Sequence, residues 1–395
     1  MIKKIREKYN AAFTEEAYQQ LLADLNQGLE NKIAFRIAET PVFIDQDFKN
    51  KLVTAGNDLV NIMLRADFKQ LTERSIPEVW RAAHENDQPH FLTFDFAVCR
   101  GADGELVPKL IELQGFPSLY GFQPELAAQY QKHFPVVRGL SPYFQDHDEQ
   151  SYFDLLRRTI IRNHQPDEVI LLDINAREQK TAVDFYITAR HLGIAIVALD
   201  ELRQRGNQFY YTRDDVEQPV RRIYNRLIFD EITNKEEAFK HIPDLLNSNQ
   251  VEWVTHPNWF YRISKYTMPF LKSAFVPQTI FLSDVETIPA NLENYVLKPL
   301  FSFAGQGVLI DVSEADIKAI KDPENWILQE KVSYEPVVKA PDGDVKCEIR
   351  LMYVWPDGDA KPTLVINLAR LSRGKMIGVR YNKDFDWVGG TVCLF

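Results

Sequence analysis

Tyr295-Val-Leu-Lys298-Pro-Leu-Phe-Ser302-Phe-Ala-Gly305-Gln306-Gly307-Val308 is the stretch on which the reading of this chain turns. Val296-Leu297-Lys298 reads as the end of a strand, and Ser302 to Gly307 supplies two glycines in a short loop. Such a loop can aim backbone N–H groups at a phosphate, while Lys298 adds a compact positive charge. Gly-x-Gly after a strand is by itself more often an ordinary turn. Neither the Gly-x-x-x-x-Gly-Lys-Ser/Thr pattern nor Gly-x-Gly-x-x-Gly is present, which sets two common nucleotide folds aside. Further along come Trp326-Ile-Leu-Gln329-Glu330-Lys331-Val332, Glu348-Ile-Arg350 and Asn367-Leu-Ala-Arg370. Nothing after Arg370 reads as a carboxylate pair for a metal.

Acidic ligands are found upstream instead. Leu92, Phe94, Phe96 and Val98 alternate with Thr93, Asp95 and Ala97, the period of a strand. On a return strand Leu110, Glu112 and Gln114 share one face, with Lys109, Ile111 and Leu113 on the other. A turn at Gly101-Ala-Asp-Gly104 that sets position 93 opposite 112 gathers Asp95, Glu112 and Gln114 on one side. A slip of one residue separates them, and both registers are open at this level. Gathered, two carboxylates and an amide oxygen form a hard-oxygen set suited to magnesium shared with nucleotide phosphates. Taken alone, the pair reads as two solvated strand residues. Lys265 opens a helix near Ser264, where the helix dipole gives a cation no benefit and a negative ligand explains one. Arg350 and Arg370 fall on the two arms of a later hairpin turning at Pro356-Asp357-Gly358. They read equally as solvated strand arginines or as bidentate phosphate or carboxylate contacts.

Composition bounds the class. A chain of 395 residues with 45% hydrophobic content can bury a large core, and its length suggests two or three domains. Lys+Arg 46 against Asp+Glu 56 gives a net charge of -10, which argues against nucleic acid or an anionic membrane as the partner. Cys99, Cys347 and Cys393 lack metal-ligand spacing and read as reduced thiols of a cytoplasmic protein. The first residues are not followed by an apolar run, so no signal peptide is expected.

Residues 1–90 read as a mostly helical segment. Thr14 is expected to cap a helix, and Phe48, Leu52, Ala55, Leu59 and Ile62 form one helical stripe. Residues 91–150 carry the metal-ligand hairpin. Residues 151–255 read as a Rossmann-like βαβ substrate domain: a strand over 168–174, a helix from Thr181 to Leu192, and a second, parallel strand from Ile194. Residues 256–395 read as the nucleotide-binding region, with strands at 295–299, 308–312 and 326–332 and a helix from Ser313. The class is α/β (α+β).

Together these motifs resemble the ATP-grasp superfamily, and their order resembles its circularly permuted branch containing glutathionylspermidine synthetase. The resemblance covers roughly residues 90–395 through five short motifs. Lys109-Leu-Ile-Glu112-Leu-Gln114-Gly-Phe-Pro117 is similar to that branch's Lys-Leu-Leu-Glu-Tyr-Asn segment, whose Glu and Asn hold magnesium. Lys298-Pro-Leu and the loop with Ser302, Gly305, Gln306 and Gly307 resemble its phosphate clamp. Gln329-Glu330-Lys331-Val332 resembles the hinge that reads adenine and ribose. Lys265 matches the first ATP lysine, and Arg350 and Arg370 match the arginines that serve the phosphate and acyl phosphate. Gln114 replaces the usual Asn, and Phe303-Ala304 stand where the synthetase has charged residues. The N-terminal segment is too short for the amidase domain that accompanies some members, so their substrate does not transfer. The resemblance implies an ATP- and magnesium-dependent ligase that joins a small-molecule or peptide carboxylate to an amine through an acyl phosphate. Asn225-Arg226 then anchors the substrate carboxylate, unless Arg226 pairs with Asp230 or Glu231. Two alternatives stay open: an ATP-grasp phosphotransferase acting on a small molecule, and a non-catalytic nucleotide-binding protein.

Overall fold

The computed structural model describes residues 1–234, 242–301, 307–374, 377–378, 382 and 384–395. Helices α1 (Lys3–Ala12), α2 (Glu15–Leu25) and α3 (Gln46–Met63) open the chain. Thr14 caps α2 by accepting from the Ala17 amide at 3.2 Å, as its residue type predicts. Asp45 does the same for α3 through Phe48 at 2.9 Å. Phe48, Leu52, Ala55 and Leu59 are buried along one stripe, with Ile62 half-buried at its edge. Gly56 lets α3 lie close: a Cβ there would stand 2.0 Å from the Tyr353 hydroxyl.

Tyr353 belongs to the sheet that α3 covers. Its main strands are β1 (Phe91–Arg100), β2 (Leu106–Gln114), β10 (Gly343–Val354), β11 (Thr363–Ser372) and β12 (Gly389–Thr391), with the short strand Val338–Ala340 paired to the start of β10. Their order is β12-β11-β10-β1-β2, antiparallel throughout. The early hairpin and the late one therefore share a sheet. β1 is buried along nearly its whole length, as a central strand requires. Gly358 (φ 85°) sits in the turn expected at Pro356-Asp357-Gly358. Cys393–Leu394, close to the end of the chain, pairs in parallel with Val42–Phe43, and this pair belongs to the same core.

The βαβ expectation holds in detail. Strands β3 (Val169–Asp173) and β4 (Ala195–Ala198) pair in parallel through helix α6 (Ala182–Leu192), preceded by α4 (Phe122–His133) and α5 (Glu149–Ile160). Strands β5 (Arg222–Asn225) and β6 (Glu252–Val254) extend the sheet in the order β6-β5-β3-β4. A three-stranded antiparallel ribbon over residues 203–220 was not legible in the sequence. A third sheet has the order β7 (Thr279–Phe281), β9 (Trp326–Glu330), β8 (Tyr295–Pro299).

Several local expectations need correction. The strand expected at 308–312 is a single bridge, Leu297 to Leu309, on the edge of β8 that β9 leaves free. The strand expected over 326–332 ends at Glu330, leaving Lys331 and Val332 in irregular chain. The helix near Lys265 is one short 3-10 segment, Lys265–Phe270, with Pro269 inside it. Among the described residues no helix is long and apolar enough to cross a membrane.

Candidate functional site

The β1–β2 hairpin has a register other than the one expected. Thr93 stands opposite Gln114 and Asp95 opposite Glu112, but from Phe96 onward the partner shifts to Leu110. Ile111 is therefore bulged out. Without the bulge, the register set at Arg100–Leu106 would bring Ile111 opposite Asp95 and turn Glu112 to the other face. The bulge returns Glu112 and Gln114 to the face that carries Asp95. It also turns the Ile111 carbonyl toward Lys298, whose ammonium donates to it at 3.2 Å.

Across β1, Asp95 is opposite Arg350 on β10, and two residues along Glu348 is opposite Arg370 on β11. Period two puts all four side chains on one face. Arg350 grips Asp95 with both arms, Nε to Oδ1 at 2.6 Å and Nη2 to Oδ2 at 2.7 Å. Arg370 donates to Asp95 Oδ2 at 2.6 Å and to Glu348, and Tyr334 donates its hydroxyl to Glu348 at 2.7 Å. Burial pushes the Asp95 carboxyl up, but Arg350 and Arg370 outweigh it and hold the group below the usual carboxylate range. Glu348, buried and beside the Asp95 charge, is pushed the other way. Arg350 and Arg370 are both held more firmly protonated, their carboxylate neighbours outweighing burial.

Lys298 faces this cluster from the third sheet. Besides Ile111, it donates to the Gln329 amide oxygen at 2.6 Å. Desolvation pushes its pKa down to about 8, with Lys265 adding to the push and Glu112 and Glu348 opposing it. Gln329 is 1% exposed; it also donates to Thr279 Oγ1 at 2.9 Å, so its side chain braces Lys298. Glu330 accepts from the Gln278 amide at 3.3 Å and donates its own amide to the Gln278 carbonyl at 2.9 Å. Lys331 donates its amide to Asn294 at 2.7 Å and its ammonium to Glu293 at 2.5 Å, and Val332 follows half-buried. Gly307 takes φ 72°, where a Cβ would also meet Pro299 at 3.0 Å. Ser302, Gly305 and Gln306 lie outside the described residues. Lys265, 8% exposed, lines a cavity with Glu112, Gln114, Phe116, Phe260 and Phe301.

The fit to the expected groups divides. Lys298 and Lys265 suit an anionic phosphate chain, and Glu112 with Gln114 offers two hard oxygens beside them. Asp95 has its oxygens engaged by two guanidiniums, an ion-pair arrangement rather than an open ligand. Among the described residues no group of three His, Cys, Asp or Glu is placed to hold a metal.

A second cluster lies at the C-terminal ends of β3 and β5, where parallel sheets characteristically take ligands. Asn225 is 1% exposed and uses its amide oxygen on the Leu227 amide at 3.0 Å, a backbone role. Arg226 lies between rings, its Cζ 4.7 Å from the Phe116 centroid and 5.0 Å from that of Phe185. Its Nε and Nη1 are buried without a hydrogen-bond partner among the described residues. Its charge acts on Asp173 and Asp184. Burial raises Asp173 to about 6 against the pull of Arg226 and a 2.9 Å bond from Gln179. Asp184 is buried where it accepts from the Gly121 amide at 2.7 Å and the Phe122 amide at 3.1 Å, holding the start of α4. The sequence reading missed Asp173 and the role of Glu348. A charged residue closing an otherwise apolar parallel strand was the available signal for the first. Glu348 was visible only as the period-two partner of Arg350.

No family model matches the chain, and no curated protein matches it. Among solved structures, a glutathione synthetase-like effector from Globodera pallida, in its apo form, is similar over 91% of this chain and 95% of that one. The TM-score is 0.58 and the identity 13%, so the likeness shows the fold alone: a mixed α/β, glutathione synthetase-like architecture.

Proposed function

We propose that this chain is a circularly permuted ATP-grasp ligase that joins a carboxylate to an amine using ATP and magnesium. One observation carries the reading. Glu112 and Gln114, early in the chain, share a sheet face with Arg350 and Arg370, late in the chain, and Lys298 reaches that same hairpin. With Glu112 and Gln114 read as metal-side groups and Lys298, Arg350 and Arg370 as phosphate-side groups, this arrangement supports a permuted order. The shared fold with a glutathione synthetase-like protein is consistent with it.

On this reading residues 256–395 form the nucleotide-binding region with the 91–150 hairpin completing it, and 151–255 is the substrate domain behind the 1–90 segment. Lys298 and Lys265 hold the phosphates, with Gly307 beside them. The chain at Glu330 to Val332 borders the adenine. Glu112 and Gln114 would hold magnesium, which supplies charge neutralisation at the phosphate oxygens when bound. Arg226, with no partner among the described residues for two of its nitrogens, takes a substrate carboxylate, and Asp173 beside it suits an ammonium group. The reacting carboxylate oxygen attacks the γ-phosphorus, and the bond to ADP breaks with the electron pair leaving on ADP. An amine nitrogen then attacks the acyl carbon and loses a proton, and inorganic phosphate departs with the electron pair. Arg350 and Arg370 offset the negative charge that develops, and Asp95 and Glu348 fix their direction.

The test is a magnesium-dependent ADP-release screen over amino acids, short peptides and polyamines, with mass spectrometry of each product. The reading expects ADP release that requires both an acid and an amine. A phosphorylated product formed without amine would make the chain a phosphotransferase, and no turnover under any pair would leave a binding protein.

A further inference from the structure

Phe116 serves two places at once. Its ring lies under the Arg226 guanidinium, and it lines the cavity beside Glu112, Gln114 and Lys265. From it a run of aromatic rings continues, Phe260 at 5.4 Å, Tyr261 5.1 Å further and Phe301 6.4 Å beyond. Ile263 and Leu300 close the same space. An apolar wall therefore connects the buried, underused guanidinium at one end to the reacting pole at the other.

The cavity measures about 50 Å³. A single water occupies roughly 10–15 Å³ on this measure and a benzene-sized cavity about 150 Å³, so the space suits about three or four heavy atoms. Ser264, Lys265, Glu112 and Gln114 line the same cavity, but on the ligase reading Lys265, Glu112 and Gln114 are engaged by phosphate and magnesium. A hydroxyl or carboxylate set against the rings would therefore lose hydrogen bonds to water that the rings do not replace. A lone hydrogen would leave the space empty, and an aromatic ring exceeds it.

We propose that the acid activated here carries a branched aliphatic side chain of three or four carbons next to its reacting carboxylate. That group sits among Phe116, Phe260, Tyr261 and Phe301, while the distant anionic end of the substrate reaches Arg226. The proposal rests on the ligase reading and names the substrate class of that site.

The probes are glutamyl dipeptides, joined through either glutamate carboxylate, ending in glycine, alanine, valine, leucine, serine, aspartate or phenylalanine. Each is titrated calorimetrically with magnesium and a non-hydrolysable ATP analogue, and separately tested for ADP release with ATP and a panel of amines. Each buried methylene is expected to tighten binding about fourfold, so valine and leucine should exceed glycine by about tenfold or more. Serine and aspartate should do no better than glycine. Phe260 is half-buried, and Phe260→Ala should move the preference to the phenylalanine member; Phe260→Leu, a smaller enlargement, serves should the alanine variant fail to fold. A flat order, or an order unchanged by either variant, overturns the pocket while ADP release preserves the ligase reading. The expected order without ADP release keeps the pocket and overturns the ligase. Nucleotide affinity lost in Phe260→Ala with the dipeptide order intact assigns the pocket to ATP and overturns the proposal.

Discussion

Lys298 is poised by two acceptors, the bulged Ile111 carbonyl and the Gln329 amide oxygen, with a second lysine nearby. Two consequences follow from its pKa of about 8. The protonated form attracts phosphate, so nucleotide affinity should be level below neutrality and decline as pH rises past 8, with Lys298→Met abolishing the decline in a calorimetric pH series. For stability the sign is opposite: between about 8 and 10.5 the unfolded chain holds a proton that the folded one has released, so stability rises with pH in that window. At neutral pH, Lys298→Ala should weaken ATP binding by about 1.5–3 kcal/mol, roughly ten- to a hundredfold. Asp95 makes a contrasting case. Asp95→Asn leaves two buried-facing guanidiniums undercompensated and should cost about 3–5 kcal/mol of folding stability by chemical denaturation. A ligand-only role would instead leave the unfolding midpoint in place.

At the scale of elements, the β1–β2 hairpin decides whether the site exists. Alternation made both strands legible, and the turn glycines made the hairpin legible. The register was not, because a one-residue bulge at Ile111 leaves no mark in the pattern of apolar and polar residues. Its stabilisers are nonlocal: Lys298 from β8 and the packing of the segment after Gln114. Gly115 donates its amide to the Ile263 carbonyl at 2.9 Å, and a Cβ there would stand 2.5 Å from the Trp259 carbonyl oxygen. Since that neighbour is backbone, it cannot swing aside. Gly115→Ala should cost about 1–3 kcal/mol in thermal or denaturant unfolding and displace Gln114, raising the magnesium needed for half-maximal ADP release. Likewise the 308–312 strand is reduced to one bridge at Leu309, which is exposed, while Val312 alone of that run enters the small core around Leu297 and Leu328.

Across the whole molecule, three sheets must hold fixed positions for Arg226, Glu112 and Lys298 to meet one substrate. Arg222 does part of this. Only 2% exposed, it donates to the Ile160 and Thr159 carbonyls at 3.0 and 2.9 Å, to Asp357 at 2.9 Å and to Glu252. It thereby ties the parallel sheet to the tip of the β10–β11 hairpin, where His90 also meets Asp357 at 3.0 Å. Arg222→Ala should cost about 3–5 kcal/mol and lower the unfolding temperature of the molecule. One buried guanidinium bridges two backbone carbonyls and two carboxylates, and without it those carboxylates would keep only His90, Arg162 and His164 among the described residues. The parallel sheet was legible because each strand is a short apolar run with a helix between. The Arg222 tie was not, since its partners are far away in sequence and no local pattern announces them. A substrate carboxylate is proposed to attack ATP between Lys298 and the sheet face that carries Glu112 and Arg350. The most direct measurement of that attack uses an acid whose carboxylate carries a heavy oxygen isotope, with mass spectrometry of the released phosphate. One labelled oxygen should pass from the carboxylate into inorganic phosphate as the amide forms; unlabelled phosphate, released while the acid keeps both heavy oxygens, would rule the acyl phosphate out.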